Sequence, residues 1–355
     1  MKATNILQGV PGILTDDEVA TSAAYLAELQ LPSGQIPWFS GGHGDPWNHV
    51  ECAMALTVSG HFEAALAAYE WLQRHQLGDG SWFNYYVGPR VTDARLDTNV
   101  CAYAAAGVYH YTVATDDADA AALLWPMVER AIDFVLRYQR IDGSIGWSLD
   151  AAGRVENYAL LTGSSSIYHS LRCAVALAER LDYHRPAWEL AAGRLGHALA
   201  HHPEAFAPKD EFAMDWYYPV LSGAVVGDEA RARFEAGWNR YVMEDYGVRC
   251  VSTNDWVTAA ETAETVLSLD AVGMGARALE LLAQTNRHRR PDGSYFTGIA
   301  YPQRVTFPVL ETTSYTTAAI LLAVDALTDS TFAAGLFRHG VLAETLDWPE
   351  PGCRG

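Results

Sequence analysis

The sequence is most informative first in what it is missing. It has no Cys-x-x-Cys pair and no zinc-finger spacing, so its five cysteines do not read as a metal or disulfide framework. Three of them, Cys52, Cys101 and Cys173, share one small-residue context, "ECAMAL", "VCAYAA" and "RCAVAL", and read as small core residues on equivalent helices. The odd count, with no signal peptide, points to a reducing, cytoplasmic setting. No apolar run approaches the roughly 20 residues of a membrane span, so stable membrane insertion is not expected. Basic runs are also missing: 24 Lys and Arg face 43 Asp and Glu, for a net charge of −19. Such a chain repels nucleic acid and anionic surfaces, which leaves a small molecule as the expected partner. Strand-like alternation is scarce.

What is present is a repeat. "QLGDGSW" places Gln76, Gly80 and Trp82 at a fixed spacing. The same spacing recurs as Gln30, Gly34 and Ile36, as Gln139, Gly143 and Ile145, and as Arg289, Gly293 and Tyr295. Asp-Gly is turn chemistry, because Gly accepts positive φ. Weaker copies surround Gly247 and the Gly-less stretch "PEAFAPKDEF". Before each turn runs an amphipathic segment, and after it, beyond a loop, one that is apolar or small nearly all round. The period of about fifty residues belongs to helical-hairpin arrays. The expected fold is all-α: a single (α/α)6 toroid spanning 1–355, six buried inner helices ringed by outer ones, with the tail "WPEPGCRG" loose or surface-packed. Outer-to-inner links are long (31–46, 77–96, 140–163, 202–213, 244–255 and 287–311) and inner-to-outer links short, so one face should carry all the long loops and the ligand site.

Polar and aromatic residues crowd those long links. Asp97, Asp215 and Asp255 precede or open inner helices, where a carboxylate can simply cap free N–H groups. Glu261 and Glu264 in "TAAETAETVL" differ, since carboxylates among Ala, Thr, Val and Leu are rarely buried unless paired or used. The reading makes Glu261 the acid or base, with Asp215 and Asp97 as partners across the ring. Substrate contacts are expected from Trp47, His49, Arg95, His169, Trp216, Tyr217, Trp256, Glu264, Glu311 and Tyr315. Asp45, Glu51 and Tyr85 belong to the same loops and inner-helix starts.

The repeated Gln-x-x-x-Gly-x-Trp pattern resembles the QW motif of the squalene–hopene cyclase and terpenoid cyclase family, whose wider superfamily includes the β-subunits of protein prenyltransferases. "AETAE" at 260–264 is similar to the Asp-Cys-Thr-Ala-Glu stretch of the oxidosqualene branch in Thr262, Ala263 and Glu264. That resemblance implies acid-initiated chemistry on an isoprenoid, with cations stabilised by the 11 Trp and 18 Tyr. There is no DxDD at a helix start, and no match to the prenyltransferase zinc set; neither metal nor cofactor is expected. The alternative is a carbohydrate-active toroid, a hydrolase or lyase that uses paired carboxylates, Trp and Tyr stacking, and arginines. A further alternative is a non-catalytic toroid that binds a small molecule.

Overall fold

The computed structural model describes residues 6–338 and 340–343; the tail from Trp348, with Cys353, lies outside the described residues. Twelve α-helices are present among them. The outer set is α1 (Asp16–Leu29), α3 (Phe62–His75), α5 (Ala118–Leu136), α7 (Pro186–His201), α9 (Gly227–Tyr241) and α11 (Gly275–Thr285). The inner set is α2 (Pro46–Val58), α4 (Thr98–Thr115), α6 (Leu161–Arg180), α8 (Ala213–Leu221), α10 (Ala259–Ala271) and α12 (Ser314–Thr328). Each inner helix packs on the next, and α12 returns to α2, so the six close a ring. This is the (α/α)6 toroid that the repeat implies.

Burial follows the residue pattern. Cys52, Ala53, Met54, Ala55 and Leu56 of α2 are fully enclosed, as are Cys101, Ala105 and Ala106 of α4 and Cys173 and Ala174 of α6. Outer helices bury only one stripe, such as Ala65, Ala68, Tyr69 and Leu72 of α3. One apolar cluster runs from Leu7 to Leu342 through every sector.

The repeated motif is a clasp between sectors. The Gln76 amide donates to Gly80 O and to Met127 O on the next outer helix, both at 2.9 Å. Gln30 does the same with Gly34 O and Ala64 O, and Gln139 with Gly143 O and Ala191 O. The glycines press on the same neighbour. A Cβ at Gly80 would stand 2.1 Å from Arg130 O, and one at Gly143 2.4 Å from Arg194 O. In the fourth copy a Cβ at Gly293 would stand 2.5 Å from Thr21 O, while Arg289 reaches Glu18 at 3.0 Å, which ties the last sector to α1. At Gly247 the neighbours are Thr262 and Val257 beside α10, so that copy is not a clasp of this kind.

The long links carry short antiparallel strands: β1 (Tyr85–Val87), β2 (Arg90–Asp93), β3 (Leu96–Asp97), β4 (Ser148–Leu149), β5 (Val242–Met243), β6 (Gly247–Val248), β7 (Trp256–Thr258), β8 (Gly298–Ala300) and β9 (Val305–Thr306). The β7-β8-β9 sheet displaces one expected boundary. "DWVT" does not open a helix; Trp256 pairs with Ala300 and Thr258 with Gly298, and α10 starts only at Ala259. All these strands sit on the face that holds the inner-helix N-termini.

Candidate functional site

Asp45 caps α2. Its carboxylate accepts from Asn48 N at 3.0 Å, from the Asn48 side-chain amide at 2.6 Å and from the Trp38 indole at 2.7 Å. Asp97 repeats the device on α4: it accepts from Asn99 N, Val100 N and, at 2.6 Å, the Trp147 indole. Burial pushes the Asp97 carboxyl up to about 6, and those donors work against it. One indole from a long link pins each carboxylate, so its orientation is set by the loop as well as by the helix.

Aromatic rings build the wall beside Asp45. Trp38 lies 4.4 Å from His43 and 5.1 Å from Tyr315, and His43 lies 4.8 Å from Tyr85. The Tyr315 phenol feels both Glu261 and Asp45, as well as Glu311, which with burial holds it protonated. In the ring α12 stands between α10 and α2, and Tyr315 occupies its first turn. Glu261 occupies the first turn of α10 and contacts the Cys250 thiol. Glu311 accepts from the Thr297 hydroxyl at 3.1 Å just before α12.

Further along the same two helices, α2 and α10, is a second pair of acids. Glu264 accepts from the Tyr217 hydroxyl and, at 2.7 Å, from the Tyr218 hydroxyl. Burial nevertheless raises its carboxyl to about 7, because the tyrosines only partly replace the lost water. Glu51, on α2, is pushed well above the usual carboxylate range by burial and by Glu264, Asp45 and Glu261. Both line a recess with Tyr103, Ser166, His169 and Phe337. Trp47 stacks on Tyr103 at 4.3 Å and its indole reaches Ser166.

The structure thus brings Glu261, Glu264, Asp97, Trp47, His169, Tyr217, Glu311 and Tyr315 around the ring's centre and mouth. Four expected residues stand elsewhere. Asp215 is the third residue of α8 rather than its cap; its carboxylate takes the Thr162 hydroxyl and lines an outer groove beside α9 with Arg233. Trp216 packs outward on Phe234 and Tyr241, its indole bonded to Arg233 O. His49 is locked in the core, accepting from Ile36 N and donating to Ala68 O, and burial lowers it to about 4. Arg95 is folded onto Asp93 at the surface. Trp256 stays at the mouth, on β7, but its indole is bonded to Phe307 O at 2.9 Å. His169 faces the recess, stacked on Phe337 at 4.8 Å, and burial brings it down to about 3.

Sequence reasoning placed Asp45 and Glu51 among the long links and inner-helix starts but gave them no role, and it passed over Phe337. For Asp45, Pro46 immediately after it marks a helix start. Glu51 carries the same signal that singled out Glu264, a Glu inside an apolar inner helix. Phe337 follows the last helix and has no sequence signal for a cavity position. Among the described residues, no group of three or more His, Cys, Asp or Glu is placed to hold a metal ion, and no helix is long and apolar enough to cross a membrane.

The fold places the chain among the (α/α)6 toroids. Solved structures of that shape include a D-mannose isomerase (TM-score 0.65, 11% identity, 87% of this chain and 96% of that one). A glycosidase bound to glucose superposes with a TM-score of 0.70 at 13% identity, over 89% of this chain and 97% of that one. The cellobiose 2-epimerase of Spirochaeta thermophila DSM 6192 gives 0.65 at 13% identity, over 88% and 96%. These likenesses concern the fold alone. No protein-family model matches the chain. A curated relative does: the MMP endo-(1,4)-3-O-methyl-alpha-D-mannosidase of Mycolicibacterium hassiacum is 50% identical over 330 residues, 93% of this chain and 91% of the relative. The chain belongs to the family of that mannosidase. This overturns the resemblance to terpenoid cyclases and prenyltransferases, and with it the isoprenoid substrate and the acid-initiated cyclisation. The physical reason is that Gln76, Gly80 and their equivalents hold sectors of a toroid together. The QW-like pattern reports that architecture and carries no chemistry.

Proposed function

We propose that the protein is a glycoside hydrolase that cuts internal α-1,4 bonds of a mannose polymer bearing 3-O-methyl groups. The observation that carries this reading is the 50% identity to an endo-mannosidase, in a ring where Asp45 caps α2 and Glu261 sits in the first turn of α10, the two inner helices that flank α12. Hydrolysis of a glycoside needs two carboxyl groups flanking the bond. Glu261 gives its proton to the departing glycosidic oxygen. Asp45, held by three N–H donors, meets the positive charge that develops at the anomeric carbon. Water supplies the hydroxyl that ends on that carbon, and its remaining proton returns to the carboxylates. Asp97 and the Trp38–Tyr85–Tyr315 wall orient the sugar, since aromatic faces pack on the C–H face of a pyranose and a carboxylate accepts from its hydroxyls. Glu51, kept protonated by its neighbours, donates to a sugar oxygen from below. The free thiols Cys52, Cys101, Cys173 and Cys250 support a reducing, cytoplasmic place of action.

The test is a pair of isosteric variants, Glu261→Gln and Asp45→Asn. Asn keeps the cap bond from Asn48 N but cannot accept from Trp38 and the Asn48 amide as well, so turnover is measured per folded protein. Both should lose roughly 10²–10⁴-fold in turnover of a methylated α-1,4-mannose oligosaccharide, with circular dichroism showing the helical fold retained. A variant that keeps its turnover removes that residue from the mechanism.

A further inference from the structure

The link between α11 and α12 presents apolar side chains to water. Val305, Phe307, Val309 and Leu310 are 54%, 55%, 81% and 68% exposed, an unusual density for ten residues of an otherwise acidic surface. The segment is nonetheless well built. Phe307 N donates to Gly298 O and Phe307 O accepts the Trp256 indole, both at 2.9 Å. Leu310 N donates to the Thr306 hydroxyl, and Glu311 N to Pro308 O. Leu310 is held at φ +56°, a conformation that costs a bulky side chain energy. The opposite side of the sheet is already occupied, where Val257, Ile299 and Tyr301 pack against Met243 and Tyr246. The outward residues are therefore not the overflow of a core. They are held in place and left uncovered.

The patch is continuous with the candidate site. Phe307 meets Trp256 edge-on at 5.5 Å, and β7 runs directly into α10, whose first turn carries Glu261. We propose that this loop is a subsite for the O-methylated stretch of the polysaccharide beyond the bond that is cut. The inference rests on the functional reading above and names the part of the substrate that the loop recognises. O-methylation removes a hydroxyl donor and adds a methyl group, so it replaces a group that asks for a hydrogen bond with one that asks for apolar cover. An unmethylated mannose unit set against Phe307, Val309 and Leu310 would find no polar partner among those side chains, and that disfavours the wrong polymer. The net charge of −19 argues against an anionic lipid surface as the occupant.

The experiment uses the full chain and a triple variant, Phe307→Ser, Val309→Ser and Leu310→Asn, all at exposed positions where folding is little affected. Binding of two α-1,4-mannose oligosaccharides of equal length, one 3-O-methylated and one not, is measured by titration calorimetry, and turnover of each is followed alongside. The proposal predicts that the variant loses about tenfold in affinity for the methylated oligosaccharide and is unchanged toward the other. Equal loss on both, no loss on either, or a changed oligomeric state with intact affinity overturns it. If the wild-type chain binds the methylated oligosaccharide but cuts neither, the hydrolase reading fails while the subsite is still judged by the affinities.

Discussion

Glu264 shows how a single buried carboxyl couples the site to stability. Its value of about 7 in the fold stands above the 4.5 of an unfolded glutamate, because burial outweighs two tyrosine donors. Between those values the native state holds a proton that the unfolded chain has released. Stability from this group is therefore full below pH 4.5 and is lost as pH rises through about 7. Asp97, raised to about 6, acts with the same sign in the lower part of that window, and Glu51, raised by burial and by its acidic neighbours, adds in the same direction. Melting temperature should fall by a few degrees from pH 5 to pH 7.5, and Glu264→Gln should flatten that slope. A slope unchanged in the variant would assign the loss to other groups. The residue scale is also where the sequence was least legible. A Glu in an apolar helix could be seen to need an explanation, but whether it faced the ring could not. The same reasoning took Asp215 for a ring-facing cap, whereas α8 begins two residues earlier and turns its carboxylate toward Thr162.

At the scale of elements the clasp is the governing device. Gly80 combines φ +98° with a carbonyl 2.1 Å from any added Cβ. Gly80→Ala should cost about 2–4 kcal/mol, since it adds a disfavoured backbone to a clash with Arg130 O that no rotamer relieves. Gln76→Ala should cost less, about 1–3 kcal/mol, by leaving Met127 O and Gly80 O without their donor. Urea unfolding of the two variants checks the order; a larger loss for Gln76→Ala would mean that the hydrogen bonds, not the close approach, hold the sectors. This element was fully readable in the sequence, because the spacing of Gln and Gly repeats with the helices. Its meaning was not. The clasp occupies backbone groups of the outer ring and serves the packing of sectors, so reading an activity from it led to the wrong class of chemistry. The strand at Trp256–Thr258 was also hidden, since its partner lies about 40 residues on, at Gly298–Ala300.

On the scale of the whole molecule, six inner helices direct their N-termini to one face, and every long link crosses that face. The arrangement concentrates Asp45, Asp97 and Glu261 where helix dipoles favour negative charge, with Trp and Tyr from the links between them. Glu51, Glu264 and Phe337 line a buried recess within the ring. The proposed endo-cleavage requires a chain polymer to lie across the mouth and be cut within its length. The most direct measurement is mass spectrometry of the products formed from a long, reducing-end-labelled, 3-O-methylated α-1,4-mannose oligosaccharide. Cleavage at internal bonds, with each cut adding one water and with shorter labelled and unlabelled fragments appearing together, is the predicted result. Release of single sugars from one end only, or an isomerised oligosaccharide of unchanged mass, would contradict the account.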